Sequence, residues 1–124
     1  MQRYSRADRV GQMIFQIIAD TIRQKLDDPR ILPVTITQVR LTRDLRLARV
    51  YYCLSGDAAA KEAARQGLVG AAGLFKKTID AELHLRFMPD LEFHYDETLD
   101  RAERIEQILK EVSPAHESDD PEDS

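Results

Sequence analysis

The chain has no tryptophan, a single cysteine and only three histidines. Its apolar stretches are a few residues each, as in Met13-Ile14-Phe15, whereas a membrane-spanning helix needs about 20 and a secretory core about 7–15. A cytoplasmic protein without membrane contact is therefore expected. Cys53 by itself builds neither a disulfide framework nor a Cys-based metal site, and its place in a predicted strand suits a small buried side chain. The histidines have no ligand spacing among themselves, so no metal and no cofactor is expected. Walker, HExxH and GxSxG motifs are missing, which removes the usual signatures of nucleotide binding, zinc proteolysis and serine hydrolysis. Helix capping accounts for the carboxylate pair Asp96-Glu97, and a proline turn for Asp27-Asp28. No enzyme is expected.

What is present suits one ordinary domain. The chain has 124 residues, 43% hydrophobic and 32% charged, enough for one core and too short for two comfortable ones. Its net charge of −4 would argue against a nucleic-acid partner if it were evenly spread. It is not: residues 1–88 carry 15 Lys and Arg against 9 Asp and Glu, a net +6, and residues 89–124 carry 3 against 13, a net −10. A basic body can supply phosphate contacts despite an acidic end, because potential acts within a Debye length of about 8–10 Å.

The periodic pattern runs helix, strand, strand, helix, helix, strand, helix. Val10, Met13, Ile14, Ile17, Ile18, Thr21 and Ile22 follow three-four spacing and predict a first helix from Ser5 or Asp8 to Leu26, with Phe15 widening its apolar face. Pro29 ends it. Val34 to Thr42 is rich in β-branched residues, and its alternation changes phase midway, predicting a bulge near Thr37 or Gln38. The segment from Arg46 to Ser55 alternates with Ala48, Val50, Tyr52 and Leu54 inward, so the two strands make an antiparallel hairpin carrying Arg40, Arg43, Arg46 and Arg49. Tyr51 and Tyr52 could stack bases, although the inward phase of Tyr52 favours core packing.

Residues 67–95 organise the rest. Leu68, Ala72, Phe75, Ile79 and Leu83 share one helical face, yet Gly67, Gly70 and Gly73 interrupt it, each costing about 1 kcal/mol against alanine. Either a second backbone, protein or nucleic acid, comes close here or the helix breaks in two. The expected pieces are a helix from Ala58 to Arg65, another from Leu74 to His84, and a third strand with Leu91, Phe93 and Tyr95 in phase. A last helix, capped by Asp96 or Thr98, carries an apolar set of Leu99, Ile105, Ile108 and Leu109. Residues 113–124 have no apolar period and predict a disordered acidic tail, leaving 1–112 as the folded domain. The arrangement is α+β, a three-stranded sheet with helices on one face.

These features together resemble the ribosome-binding factor A family over roughly Arg9 to Ile108. The resemblance is carried by Asp28-Pro29-Arg30, by Val34-Thr35-Ile36-Thr37 leading to Asp44-Leu45-Arg46-Leu47-Ala48-Arg49-Val50-Tyr51, by Ala71-Ala72-Gly73 followed by Lys76, and most densely by Leu85-Arg86 through Pro89-Asp90-Leu91-Glu92-Phe93-His94-Tyr95-Asp96. It implies a type II KH-like domain in which an Ala-x-Gly bend, here Ala71-Ala72-Gly73, replaces the usual glycine-rich loop; Gly70 to Gly73 also spells GxxG. It further implies a non-enzymatic assembly factor that binds the free small ribosomal subunit or its precursor and contacts its rRNA. That factor supports late maturation and rRNA processing, most needed in cold growth, and is expected as a monomer. The matching basic positions are Arg46, Arg49, Lys76 and Arg86. Two positions depart from the family pattern: His84 stands where a second Arg is common, and Ala102 where a Gly is frequent.

Physical reasoning about the same residues agrees. A bend between helices exposes terminal N–H groups to a phosphate, and Lys76, Lys77 and Arg86 add charge around it. Such contacts position RNA more than they read its sequence. The competing reading is a protein-binding adaptor without RNA contact.

Overall fold

The computed structural model describes residues 5–112; the expected acidic tail, 113–124, lies outside the described residues. The elements are α1 (Arg6–Gln24), β1 (Thr35–Leu41), β2 (Leu47–Cys53), α2 (Ala58–Gly70), α3 (Ala72–Leu83), β3 (Asp90–Tyr95) and α4 (Thr98–Val112). A reciprocal cap starts α1: the Ser5 hydroxyl accepts the Asp8 N–H and the Asp8 carboxylate accepts the Ser5 N–H, both at 3.1 Å, satisfying two donors the helix leaves free. Ile14 and Ile18 on its inner face are fully buried, whereas Met13, expected on that face, stays 43% exposed.

β2 lies at the centre of the sheet, antiparallel to β1 and parallel to β3. The register with β1 slips between Ile36 and Gln38, so the bulge falls where the phase change put it. A parallel pair needs a long crossover, and α2 with α3 provides it. Ala48, Val50 and Tyr52 point inward and are buried, in one core with Ile14 and Ile18 of α1, Leu68 of α2, and Phe75 and Ile79 of α3. The Phe75 and Phe93 rings lie 6.0 Å apart within it. Burying side chains of this size contributes about 1.5–3 kcal/mol each. At Gly11 an added Cβ would sit 3.0 Å from the Val39 carbonyl oxygen, so the missing side chain lets α1 approach β1 closely.

Three expectations need correcting. The helix does break in two at the glycines, but the break is one residue wide: α2 continues past Arg65 through Gly67 to Gly70, α3 starts before Gly73 and not at Leu74, and only Ala71 separates them. Of the three, Gly67 alone answers a close approach, and to a side chain rather than a backbone: an added Cβ would lie 2.8 Å from Ile31 Cγ1, while Gly70 and Gly73 face open space. Finally, the apolar set of α4 is not buried. Leu99, Ile105, Ile108, Leu109 and Val112 are each at least half exposed, because α4 leaves the sheet after β3 instead of joining α1, α2 and α3 on it. It is moored at its first turn, where Lys61 Nζ reaches Asp100 Oδ2 at 2.7 Å and the Tyr95 hydroxyl lies 3.1 Å from Asp100 Oδ1.

Candidate nucleic-acid interface

The joint between α2 and α3 is a single residue. Ala71, at φ −90° and ψ 0°, closes α2 by donating its N–H to the carbonyls of Gly67 at 3.0 Å and Leu68 at 3.1 Å. No side chain caps α3, so its first-turn N–H groups lack the partner a Ser or Asp would supply. Ala71 is buried, Ala72 half-buried and Gly73 exposed. With nothing near the missing Cβ atoms of Gly70 and Gly73, the outer surface of the bend is smooth backbone.

One turn beyond the bend, Lys76 Nζ lies 3.5 Å from Asp90 Oδ1. The Asp90 N–H donates to the Arg46 carbonyl at 2.9 Å, tying the start of β3 to the start of β2. Arg46 is presented by a tight turn: Asp44 Oδ1 accepts the Arg46 N–H at 3.1 Å and the Thr42 hydroxyl at 2.7 Å. The Thr42 hydroxyl foremost, then that N–H, holds the Asp44 carboxyl below its usual value. Leu45, at φ 62°, takes the left-handed conformation in this turn.

The Arg46 guanidinium lies 5.8 Å from the centre of the Phe87 ring, and that of Arg86 lies 5.6 Å from it. Lys76, Asp90, Arg46, Phe87 and Arg86 thus form one connected string. Lys77 is exposed next to it and makes no ion pair among the described residues.

Arg49 is placed elsewhere. Opposite in phase to Ala48 and Val50, it points to the helix-free face of the sheet, in one row with Arg40 and Glu92. Its Nε lies 3.7 Å from Glu92 Oε1. The next row holds Gln38, Tyr51 and His94, with the Tyr51 and His94 rings 5.5 Å apart. The sequence-predicted basic residues therefore divide between an end of the sheet (Arg46, Lys76, Arg86) and its open face (Arg49).

Phe87 was missed by the sequence reading. Its odd number puts it in phase with Leu91, Phe93 and Tyr95, which pack on the core, but the chain bends at Arg86 and Phe87 and that phase does not extend back. The available signal was an aromatic beside an arginine just ahead of Met88-Pro89. Among the described residues, no group of three or more His, Cys, Asp or Glu could hold a metal ion, and no helix is long and apolar enough to cross a membrane.

The order α-β-β-α-α-β, the mixed sheet and the helix-bend-helix crossover define a type II KH-like α+β domain. The family model for ribosome-binding factor A matches residues 6–109, and the chain belongs to that family. A ribosome-binding factor A from Geotalea uraniireducens is 41% identical over 121 residues, 98% of this chain and 99% of the relative. The solution structure of a Thermotoga maritima protein described as a putative ribosome-binding factor A superposes with TM-score 0.69 at 28% identity, covering 79% of this chain and 93% of that one. A homology model of the Thermus thermophilus ribosome-binding factor A, fitted into a cryo-EM map of its complex with 30S, superposes with TM-score 0.61 at 26% identity, covering 74% of this chain and 96% of that one.

Proposed function

We propose that this protein is a non-enzymatic assembly factor that binds the free small ribosomal subunit, or its precursor, in the cytoplasm. It acts there as a monomer in late maturation and rRNA processing, with its need greatest in cold growth. The observation that carries the reading is the similarity to the Thermus thermophilus factor fitted to 30S. The bend is compatible with an RNA contact: backbone at Ala71, Ala72 and Gly73 approaches a phosphate, Lys76 and Lys77 follow one turn on, and Lys76 connects through Asp90 to the Arg46 and Arg86 cluster. Arg49 contributes from the open face of the sheet. Residues 1–112 make the binding domain, and the acidic residues 113–124 disfavour nonspecific RNA; truncation after Val112 should then raise weak RNA binding at low salt.

Co-sedimentation with purified small subunits across a salt series tests the reading, with large subunits as control. Wild type should bind small subunits selectively, and Lys76→Glu/Arg86→Glu should abolish binding without unfolding the protein. Phosphate contacts give a log-log salt slope of about −0.7 per contact on single strands. Equal or absent binding to both subunits would instead favour the protein-binding adaptor, for which the exposed apolar stripe of α4 speaks.

A further inference from the structure

We propose that Phe87 is a stacking platform for an unpaired RNA base, with Arg46 and Arg86 placed to take the phosphates beside that base. The inference rests on the RNA-binding reading above and names the contact through which the sheet end would grip its target. Phe15, Phe75 and Phe93 all pack in or against the core. Phe87 is 62% exposed, the one aromatic among the large exposed apolar residues of the described chain. Exposure of a single ring is ordinary; what sets Phe87 apart is that two guanidinium groups flank it.

The surroundings identify that occupant. The two guanidinium groups lie 5.8 and 5.6 Å from the ring centre, and the Lys76–Asp90 ion pair adjoins them through the bond from the Asp90 N–H to the Arg46 carbonyl. An apolar socket on a protein would dry the ring only by stripping water from both guanidinium groups without giving them partners. An unpaired nucleotide brings a flat π-face and phosphate oxygens together, which matches a ring between two arginines. Bases inside a duplex hide their faces, so the ligand is a loop, bulge or strand end of RNA. The platform is also anchored. The Arg46 N–H donates to the Asp44 carboxylate and the Arg46 carbonyl accepts the Asp90 N–H, and buried Pro89 follows the ring. A base arriving on the ring displaces one guanidinium from it onto the adjoining phosphate.

The test uses the full chain as wild type, Phe87→Leu and Phe87→Tyr, each bound to purified small subunits over a salt series. A benzophenone-bearing phenylalanine analogue at position 87 reports by photo-crosslinking what lies against the ring. Loss of one base stack should weaken Phe87→Leu by roughly 5- to 150-fold with an unchanged salt slope, since no charge is removed, while Phe87→Tyr stays within about twofold of wild type. Thermal unfolding of both variants should match wild type, because the ring is exposed. The crosslink should form to rRNA. Wild-type affinity in Phe87→Leu overturns the platform and leaves the RNA reading standing, whereas a crosslink to a ribosomal protein overturns it in favour of a protein socket. If wild type itself fails to bind small subunits, the parent reading falls and the platform with it.

Discussion

The Thr37 hydroxyl donates to Asp96 Oδ2 at 2.7 Å, across 59 residues of chain. Thr37 is the bulge residue of β1 and Asp96 follows β3, so the bond joins the two outer strands over the central one. Asp96 Oδ1 meanwhile accepts the Thr98 N–H at 3.0 Å, and one carboxylate thereby couples the bulge to the entry of α4.

That coupling predicts an acid-sensitive brace. The bonds from Thr98, then that from Thr37, hold the Asp96 carboxyl below its ordinary value of 3.8. A depressed value favours the folded state above pH 3.8, and this contribution is lost as pH falls through the folded value. The Asp28 carboxyl, lowered by Arg30, and the Asp100 carboxyl, lowered foremost by Lys61, behave alike. Asp96→Asn should flatten the fall in melting temperature between pH 5 and 3 without abolishing it, as thermal unfolding at stepped pH would reveal.

The three glycines should respond differently to alanine. Gly67→Ala drives a Cβ into Ile31 Cγ1 at 2.8 Å and should destabilise by about 1–3 kcal/mol. Gly70→Ala and Gly73→Ala meet nothing and should stabilise by up to about 1 kcal/mol each. Urea unfolding measures both signs. Where RNA backbone approaches the bend, Gly73→Ala should also weaken small-subunit binding despite its greater stability, separating the two effects.

His84 ends α3 in the left-handed conformation, at φ 52° and ψ 48°. A residue with a Cβ is strained there, and glycine is the usual occupant. His84→Gly should therefore raise stability by about 0.5–1 kcal/mol, a shift of about 2–6 °C in melting temperature. An unchanged or lower melting temperature would mean the imidazole holds something more than its exposure suggests.

Cys53 is buried, and burial foremost, with Asp96 and Asp100 adding, pushes its thiol pKa up. Because the thiolate is the reactive form, a thiol reagent should modify the native protein slowly at pH 8 and the denatured protein in one fast phase. Fast modification in the native state would show that the end of β2 opens.

Removing the mooring of α4 should free the helix and spare the core. Asp100→Ala deletes the bond to Lys61 and one of the two partners of the Tyr95 hydroxyl, leaving the Leu54 carbonyl, while none of the α4 residues is buried. Hydrogen exchange should speed up along 98–112 and stay unchanged at Ile14, Phe75 and Val50.

Period and phase made much of this fold legible. Three-four spacing located α1, strict alternation located β2, and the slip in alternation located the bulge near Thr37 or Gln38, because each follows from local geometry that a side chain must obey. The parallel pairing of β3 was not legible, since alternation is the same for either strand direction. α4 misled for a related reason: its spacing declares an apolar face and is silent on whether anything covers it. Of the candidate interface, the charged positions and the bend were visible as residue types in order. The separation of Arg49 from Arg46 also followed from alternation, which puts Arg49 opposite in phase to Ala48 and Val50; the gathering of Arg46 and Arg86 around Phe87 depends on a bend in the chain that no local pattern encodes.

The single-residue joint at Ala71 has a consequence for chain length. With 3.6 residues per turn, one inserted residue would rotate everything after it by about 100°, swinging Phe75 and Ile79 off the core and Lys76 away from Asp90. A joint of one residue has no slack to absorb that. Insertions and deletions among kindred chains should accordingly avoid Leu68 to Ile79 and collect at Ser55-Gly56 and around Pro33, where exposed loop can change length without turning a helix.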